Sequence, residues 1–305
     1  MQAVRSADEI RDVNTRYHDV AAPSYDSKWG IDFGEVGQAQ VLGKLRKVLG
    51  SELDRGFERS LEIGAGTGYF SLNLLRAGAV REATCTDISP GMLRSLSDNA
   101  AHLGLTVRTA RADAESLPFA DQSFDLVLGH AVLHHLPDLE RAFAEFHRVL
   151  PPGGRIVFAG EPSRVGDRIA SLPKRGAMAV APLWRALLRV GRAPPFKAGD
   201  PHDPHDHALE GLVDIHSFAP GELATFARRA GFKDVKVRGE ELVANWFGWF
   251  NRALEATADP RQVPMIWRQY AFHGYLILQR VDGQILEPAL PPQLFYNLLL
   301  AARRG

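Results

Sequence analysis

Short apolar segments alternate with stretches of helical periodicity along most of the chain. The first five segments cover 59–66, 81–89, 105–115, 124–132 and 153–162. Between them, apolar residues recur at spacings of three and four, which is typical of amphipathic helices. Strands that alternate with helices in this way predict a parallel sheet with helices on both faces.

Two later segments complete the predicted sheet. One is 232–241, which follows a helix predicted over 220–230, and the other is 294–304. The sequence therefore predicts an α/β fold with a seven-stranded, mostly parallel sheet. Two long stretches, 163–219 and 242–292, interrupt the alternation but carry apolar periodicity of their own, so we do not expect structureless loops there.

The positions of the two interruptions predict a role for them. In an open α/β sheet the ligand lies outside the carboxyl ends of the parallel strands, and both stretches leave the sheet at that edge. We expect 163–219 and 242–292 to form a lid over the ligand, on one domain built from 59–162 and 220–305. Residues 1–58 are expected to form helices that cap this domain.

Composition narrows the class of protein. Hydrophobic residues make up 45% and charged residues 24% of the chain, as in ordinary globular proteins. The 36 basic and 36 acidic residues cancel, which argues against a nucleic-acid partner. The single cysteine, Cys85, allows no internal disulfide, and residues 1–20 lack the apolar core of a signal peptide. We therefore expect a cytoplasmic protein.

A glycine-rich turn follows the first predicted strand. Its glycines alternate over 64–68, and Tyr69 stands where a dinucleotide-binding turn would carry its third glycine. Glu62 precedes the turn, and its carboxylate would repel a pyrophosphate but attract an ammonium or a sulfonium. Asp87 follows the second strand, where an acid can accept ribose hydroxyls. The pattern favours an adenosyl ligand that carries positive charge over a nicotinamide dinucleotide.

Five consecutive motifs extend this pattern over roughly 60–162. They are LEIGAGTG, TDISPGML, ADAESLPF, FDLVLGHAVLHHLPD and RVLPPGGRIVFAGEP. In order and spacing the chain resembles the class I S-adenosylmethionine-dependent methyltransferases, in particular the type 11 group that includes ubiquinone and menaquinone biosynthesis enzymes. The resemblance implies a Rossmann-like fold, a bacterial protein, S-adenosylmethionine as cofactor and S-adenosylhomocysteine as its product.

The resemblance also implies which residues hold the cofactor. Glu62 and the turn would bind the methionine portion, Asp87 the ribose, and Asp113 with the backbone of Ala114 the adenine amino group. The turn residues implied are Gly64, Ala65, Gly66 and Gly68.

Three further positions are implied around the cofactor and two above it. Ile88 and Met92 would flank the adenine, and His130 would lie near the transferred methyl group. Tyr25 and Trp29 resemble residues of the family's N-terminal cap, which closes over the cofactor. Taken singly, Ile88 and Met92 are equally well explained as core residues.

Methyl transfer from a sulfonium depends mainly on positioning and desolvation, and it requires no metal. A hydroxyl or acidic carbon acceptor additionally requires a base, for which histidine is suited. His134 and His135 are the candidates for a base or a substrate clamp, and Glu161 is a candidate to orient one of their rings. The alternative is that these residues form an ordinary helix entrance before Pro137.

A second histidine-rich stretch covers 202–216. It holds His202, His205, His207 and His216 among several aspartates. Such side chains can bind zinc or iron, but Pro201 and Pro204 stand at the start of the stretch, and no two of its histidines lie four residues apart as on one face of a helix. We therefore expect a polar loop and no metal.

The two long insertions bear on the methyl acceptor. Residues 164–197 combine many arginines with an apolar stripe, which predicts either peripheral contact with an anionic membrane or a solvated helix. Residues 242–254 place four large aromatic side chains on one helix. These side chains predict either a hydrophobic channel for the acceptor or packing in the core. The interpretation is a lipophilic small-molecule acceptor, such as a quinone, polyketide, phenol or lipid. The alternative is a cofactor-binding or lipid-surface module that transfers nothing.

Overall fold

All seven predicted strands form one sheet in the order β3-β2-β1-β4-β5-β7-β6. We describe them from a computed structural model that covers residues 6–193 and 215–305. The strands are β1 (Phe57–Ile63), β2 (Val80–Asp87), β3 (Arg108–Arg111), β4 (Leu126–His130), β5 (Arg155–Pro162), β6 (Phe232–Glu240) and β7 (Asn297–Arg304).

The sheet is mostly parallel, as the sequence predicts. β1 pairs in parallel with both β2 and β4, and the pairs β2–β3 and β4–β5 are also parallel. Gly153 N–H donates to the Arg304 carbonyl at 2.9 Å, and Arg304 N–H donates to the Gly154 carbonyl at 2.8 Å. This exchange is typical of antiparallel strands, so β7 runs against β5. The strand order reverses between β1 and β4, which is where α/β sheets bind ligands.

Helices connect and flank the strands. In chain order they are α1 (Ala7–Ala21), α2 (Tyr25–Trp29), α3 (Glu35–Leu49), α4 (Glu52–Arg55), α5 (Tyr69–Arg76), α6 (Pro90–His102), α7 (Leu139–Val149), α8 (Arg164–Leu188), α9 (Pro220–Arg229), α10 (Val243–Glu255), α11 (Met265–Val281) and α12 (Glu287–Ala289). None of the helices in the described residues is long and apolar enough to span a membrane.

Several helices begin at side chains that accept their first backbone N–H groups. Ser6 and Glu9 form a reciprocal capping box at the start of α1. Ser89, Asp138 and Ser163 accept a backbone N–H at the starts of α6, α7 and α8. These caps satisfy donors that the helices themselves leave unpaired, so the helix starts are fixed by local sequence.

The chain divides into two compact units. The sheet unit contains residues 1–161, 201–237 and 299–305, and the second unit contains 162–200 and 238–298. In the second unit α10 contacts both α8 and α11. The sequence predicts a lid of 163–219 and 242–292 on one domain, whereas the described residues 215–219 belong to the sheet unit, and 238–241 and 293–298 belong to the second unit. The lid role of the second unit stays a prediction.

Aromatic packing fills the core of the sheet unit between α7 and β5. Phe143, Phe146 and Phe158 are each 0% exposed. The ring centroids of Phe146 and Phe158 lie 5.0 Å apart, and those of Phe143 and Phe146 lie 5.6 Å apart. Water does not fill a void left in so tightly packed a cluster, so the loss of one ring weakens the packing of the whole layer.

We expect Phe146→Ala to lower the free energy of unfolding of the sheet unit by about 3–5 kcal/mol, because it removes a fully buried ring. Urea unfolding followed by fluorescence measures the loss. Phe146→Leu keeps most of the volume and serves as the control, with an expected loss below about 1.5 kcal/mol. Equal losses for the two variants would contradict a tightly packed cluster.

Candidate cofactor and active site

The glycine turn between β1 and α5 depends on backbone conformations that favour glycine. Gly64, Gly66 and Gly68 have φ of 59°, 53° and 94°, all in the left-handed region. A Cβ on Gly64 would lie 2.4 Å from a methyl carbon of Val132, whereas a Cβ on Gly66 would meet nothing within 4 Å. The turn therefore abuts the loop after β4 on one side and is open at Gly66.

Glu62, near the end of β1, occupies the N-terminus of the helix that follows the turn. Its side chain is buried, and one carboxylate oxygen accepts the Ser71 N–H at 2.9 Å. Burial raises the pKa of Glu62 to about 7, and the charge of Asp87 adds to the rise while hydrogen bonds from α5 partly offset it. A helix N-terminus ordinarily attracts phosphate, but here the protein's own carboxylate fills that position.

Asp87, at the end of β2, joins two loops. One carboxylate oxygen accepts the Gly66 N–H at 2.9 Å and the other accepts the Ser89 N–H at 2.8 Å. Burial raises the pKa of Asp87 to about 6, although these hydrogen bonds oppose the rise. Asp87 therefore fixes the glycine turn, and each of its oxygens has a further lone pair to offer a ligand hydroxyl.

Asp113, the predicted adenine partner, is held by a residue of the N-terminal helix. Its carboxylate accepts the Glu115 N–H at 2.9 Å and pairs with the Nε of Arg11 at 2.7 Å. The same guanidinium contacts the Glu115 carboxylate. Ala114, between the two acids, is buried. The sequence does not predict this role of Arg11, because nothing in the local pattern of α1 marks its partners.

Asp19, another residue of α1, makes contacts at the start of α6 that the sequence does not predict. Its carboxylate accepts the Ser89 hydroxyl at 2.6 Å and the Gly91 N–H at 2.7 Å, so it sits at the N-terminus of α6. A Cβ on Gly91 would lie 2.8 Å from an Asp19 oxygen, which explains glycine there. Asp19 thereby anchors α1 beside the loop that Asp87 shapes.

Tyr25, one of the two predicted cap residues, lies against α6. Tyr25 packs on the cluster of Ala21, Ala22 and Met92, and its ring centroid lies 6.3 Å from that of Trp29. Met92 is 1% exposed, whereas Ile88 is half-buried. Met92 thus contacts the cap in this structure, and its role beside an adenine stays a prediction.

His134 and Glu161 form a buried pair at the carboxyl ends of β4 and β5. The Nδ1 of His134 lies 2.8 Å from one oxygen of Glu161, which also accepts the His134 N–H at 3.1 Å. The other oxygen accepts the N–H groups of Val132 and Leu133 at 3.0 and 2.9 Å. Burial alone would raise the pKa of Glu161, but His134 and these N–H groups hold it below its usual value. Glu161 is therefore ionised at neutral pH, and His134 donates from Nδ1.

His135 lies beside this pair and beside the N-terminal helix. Its ring centroid is 3.9 Å from that of His134 and 5.5 Å from that of His18 in α1. His18 in turn lies 6.3 Å from the ring of Tyr25. The sequence does not predict the position of His18, because it lies more than a hundred residues from His135 along the chain.

His130, the last residue of β4, points toward α5. Its ring stacks on Phe70 with centroids 4.9 Å apart and contacts Tyr69 edge-on at 5.7 Å. The next residue, Ala131, has φ 52°, an uncommon conformation for a residue with a Cβ. The backbone after β4 is thus turned sharply between His130 and His134.

The predicted polar loop at 202–216 lies largely outside the described residues, including His202, His205 and His207. His216 is described: its Nε2 lies 3.0 Å from the Leu136 carbonyl, and its N–H donates to the His134 carbonyl at 3.2 Å. Burial lowers the pKa of His216. Within residues 6–193 and 215–305, no group of three potential ligands could hold a metal ion.

The aromatic helix α10 packs within the second unit. Phe247 contacts Tyr270 with centroids 5.5 Å apart, and Trp249 contacts Tyr296 at 6.1 Å. Phe250 packs on the core of that unit. These contacts favour the core explanation of the aromatic stripe over the acceptor channel.

The contrast between Gly64 and Gly66 gives a matched pair of variants. Alanine at either position costs about 1–2 kcal/mol for its left-handed backbone, but only Gly64→Ala also collides with Val132, which adds roughly 1–3 kcal/mol. We expect thermal and urea unfolding to show the larger loss for Gly64→Ala. A larger loss for Gly66→Ala would contradict the contact between the turn and the β4 loop.

Comparison with known protein families and curated proteins supports the sequence interpretation. Residues 61–158 match the family model described as a methyltransferase domain. The chain is 38% identical over 151 residues to a malonyl-[acyl-carrier protein] O-methyltransferase of Methylococcus capsulatus, covering 45% of this chain and 53% of that protein. It is 37% identical over 170 residues to a ubiquinone/menaquinone biosynthesis C-methyltransferase of Bordetella parapertussis, covering 55% and 64%. The chain thus spans less than two thirds of these relatives.

Solved structures show the same fold. Haemonchus contortus phosphoethanolamine N-methyltransferase 2, solved with phosphomonomethylethanolamine and S-adenosylhomocysteine, aligns with a TM-score of 0.59 at 18% identity, covering 100% of this chain and 61% of that one. The [4+2]-cyclase SpnF aligns with a TM-score of 0.51 at 18% identity, covering 88% and 81%. Residues 61–158 thus carry a methyltransferase domain, and the sheet order and the solved structures show the class I S-adenosylmethionine-dependent methyltransferase fold.

Proposed function

We propose that the protein transfers a methyl group from S-adenosylmethionine to an oxygen or carbon atom of a lipophilic small molecule. The observation that carries the proposal is the contact between Gly64 and Val132. Val132 lies two residues before His134, so the turn that would hold the methionine portion abuts the loop that carries the histidine. A methyl donor bound at the turn and a base at His134 would thereby lie close together, at the switch point of the sheet.

The residues of the turn fit this cofactor. Glu62 and Asp87 provide buried negative charge, which favours the ammonium and sulfonium of S-adenosylmethionine. The open side of Gly66, next to the Asp87 carboxylate, leaves room for a ribose. When bound, S-adenosylmethionine supplies an electrophilic methyl group on a sulfur that leaves as a neutral thioether.

His134 suits the role of base, and Glu161 that of a positioning residue. Because the Nδ1–H of His134 donates to an ionised carboxylate, the lone pair of the ring is on Nε2. This nitrogen can take the proton that an acceptor hydroxyl or carbon loses as it bonds to the methyl group. The adjacent carboxylate stabilises the resulting imidazolium. His135 is only half-buried beside His134, and in this proposal it contacts the acceptor.

The names of the relatives support both kinds of attacked atom, since one is an O-methyltransferase and the other a C-methyltransferase. They do not agree on an acceptor. That the acceptor is lipophilic is inferred from the many apolar and basic residues of the second unit.

The second candidate function is cofactor binding without methyl transfer. The fold is shared with a protein named as a [4+2]-cyclase, and function belongs to the site, not to the fold. The two candidates differ in one observable, the appearance of a methylated product.

Cofactor affinity should depend on pH and on Asp87. Binding of a cation favours ionised carboxylates, so affinity is full above about pH 8 and falls as the pH drops through the pKa values of Glu62 and Asp87, about 7 and about 6. Removing the charged acceptor in Asp87→Asn should weaken binding roughly tenfold or more. Calorimetry with S-adenosylmethionine measures both effects.

The control is Asp98→Asn, which neutralises an exposed acid of α6 and should leave affinity unchanged. Equal affinity for Asp87→Asn and the parent protein, or binding that strengthens at pH 5.5, would contradict the assignment of the two carboxylates.

Methyl transfer should depend on His134. With labelled S-adenosylmethionine and quinone, phenol or lipid fractions as acceptors, His134→Gln should lower kcat by roughly 10²–10⁴ while cofactor affinity changes less than about twofold. The residual rate should lose the rise with pH that a histidine base produces. His102→Gln, at an exposed histidine of α6, is the control.

Two results would count against the proposal. A parent protein that binds cofactor but labels no acceptor would favour the binding module. Normal turnover in His134→Gln would remove His134 from the mechanism while leaving methyl transfer intact.

A further inference from the structure

The second unit exposes an apolar strip on α8. The buried face of α8 consists of small residues and one tryptophan: Gly166, Ala170, Ala177, Ala181 and Trp184. On the solvent side, Leu172, Leu183 and Leu187 are 63%, 73% and 78% exposed. At 100° per residue these three leucines lie within about 60° of one another on the helix. They form one stripe along its length.

Arginines run beside this stripe. Arg164, Arg168 and Arg175 are exposed and lie on the sector of α8 next to the leucines. Across the described residues 163–193 there are seven cations against one acid, Asp167. The cations are Arg164, Arg168, Lys174, Arg175, Arg185, Arg189 and Arg192.

α11 presents a second surface of the same kind. None of its residues is buried, and Met265, Ile266 and Ile277 are 65%, 76% and 60% exposed. Its sequence contains Arg268 and Arg280 and no aspartate or glutamate. Exposed apolar area of this extent is unusual on a helix that remains in water.

The two helices meet within the unit. Trp184 of α8 and Trp267 of α11 contact each other with ring centroids 5.2 Å apart. Leu183 and Leu187 flank Trp184 in sequence, and Ile266 precedes Trp267. The junction joins the part of α8 that carries Leu183 and Leu187 to the start of α11, which carries Met265 and Ile266. We call the exposed apolar residues of the two helices, with the arginines of α8, the α8–α11 surface.

We propose that the α8–α11 surface docks on the face of an anionic phospholipid bilayer. Apolar side chains flanked by arginines match the boundary between acyl chains and anionic headgroups. A second copy of the chain fits less well, because it would bring the arginines of both copies together. For 164–197 the sequence leaves open peripheral membrane contact or a solvated helix; residues 164–193 of this range are described, and α11 is a second helix outside it. The proposal does not rest on methyl transfer.

Vesicle flotation tests this docking. The full chain should float with vesicles of phosphatidylcholine containing 30% phosphatidylserine, bind vesicles of phosphatidylcholine alone much less, and be released at high salt because the headgroup attraction is screened. Arg168→Gln/Arg175→Gln should lower partitioning roughly tenfold or more. Leu183→Gln/Leu187→Gln should lower it by at least as much, because it removes the inserted side chains.

The control is Arg94→Gln/Arg228→Gln, which removes two exposed arginines of the sheet unit and should float like the parent protein. Thermal unfolding verifies that each variant is folded. The proposal is overturned if the parent protein does not float, if flotation is equal on neutral vesicles and insensitive to salt, or if the control loses as much as the α8 variants. It is also overturned if light scattering shows a dimer that the leucine variant dissolves while flotation is absent.

Discussion

The site is organised around the buried carboxylate of Glu62 at the N-terminus of α5. Helix N-termini attract anions, and in dinucleotide-binding folds that anion is the ligand's pyrophosphate. Here the Ser71 N–H is already bonded to Glu62, and Asp87 places a second buried carboxylate across the turn. Burial raises the pKa values of both to about 7 and about 6, which shows that their negative charge is only partly compensated by the protein. A positively charged ligand would compensate it further, and we therefore propose that the turn selects a sulfonium and not a phosphate.

The N-terminal helix α1 extends this arrangement beyond the sheet. Three of its polar side chains reach three different loops: Arg11 pairs with Asp113, Asp19 accepts from Ser89 and Gly91, and His18 lies beside His135. The loops that would surround adenine, ribose and acceptor are therefore tied to one helix. Because a side chain of α1 contacts each of these loops, a movement of the helix would change the contacts of all three.

The features that the sequence predicts are those with a local cause. Strands and helices follow from hydrophobic period, and the glycine turn follows from residues that tolerate left-handed backbone, so both are predictable from the sequence alone. Arg11 and Asp19 were not, because their partners lie 104 and 70 residues away and a charged residue in an amphipathic helix carries no sign of its partner. The aromatic stripe of α10 was ambiguous for the same reason: periodicity shows that one face is apolar but not what covers it. Likewise, apolar periodicity in 163–219 and 242–292 indicated structure there, but not that α8, α10 and α11 pack together as a unit.

The central claim is that Glu62 and Asp87 make this turn a site for an adenosyl sulfonium and not for a dinucleotide. Calorimetric titration of the full chain with S-adenosylmethionine, S-adenosylhomocysteine and NAD under one set of conditions tests it most directly. The account predicts saturable binding of both adenosyl ligands and no measurable heat of binding with NAD. Binding of NAD with equal or higher affinity would contradict it, because a pyrophosphate would then be accepted where the carboxylate of Glu62 stands.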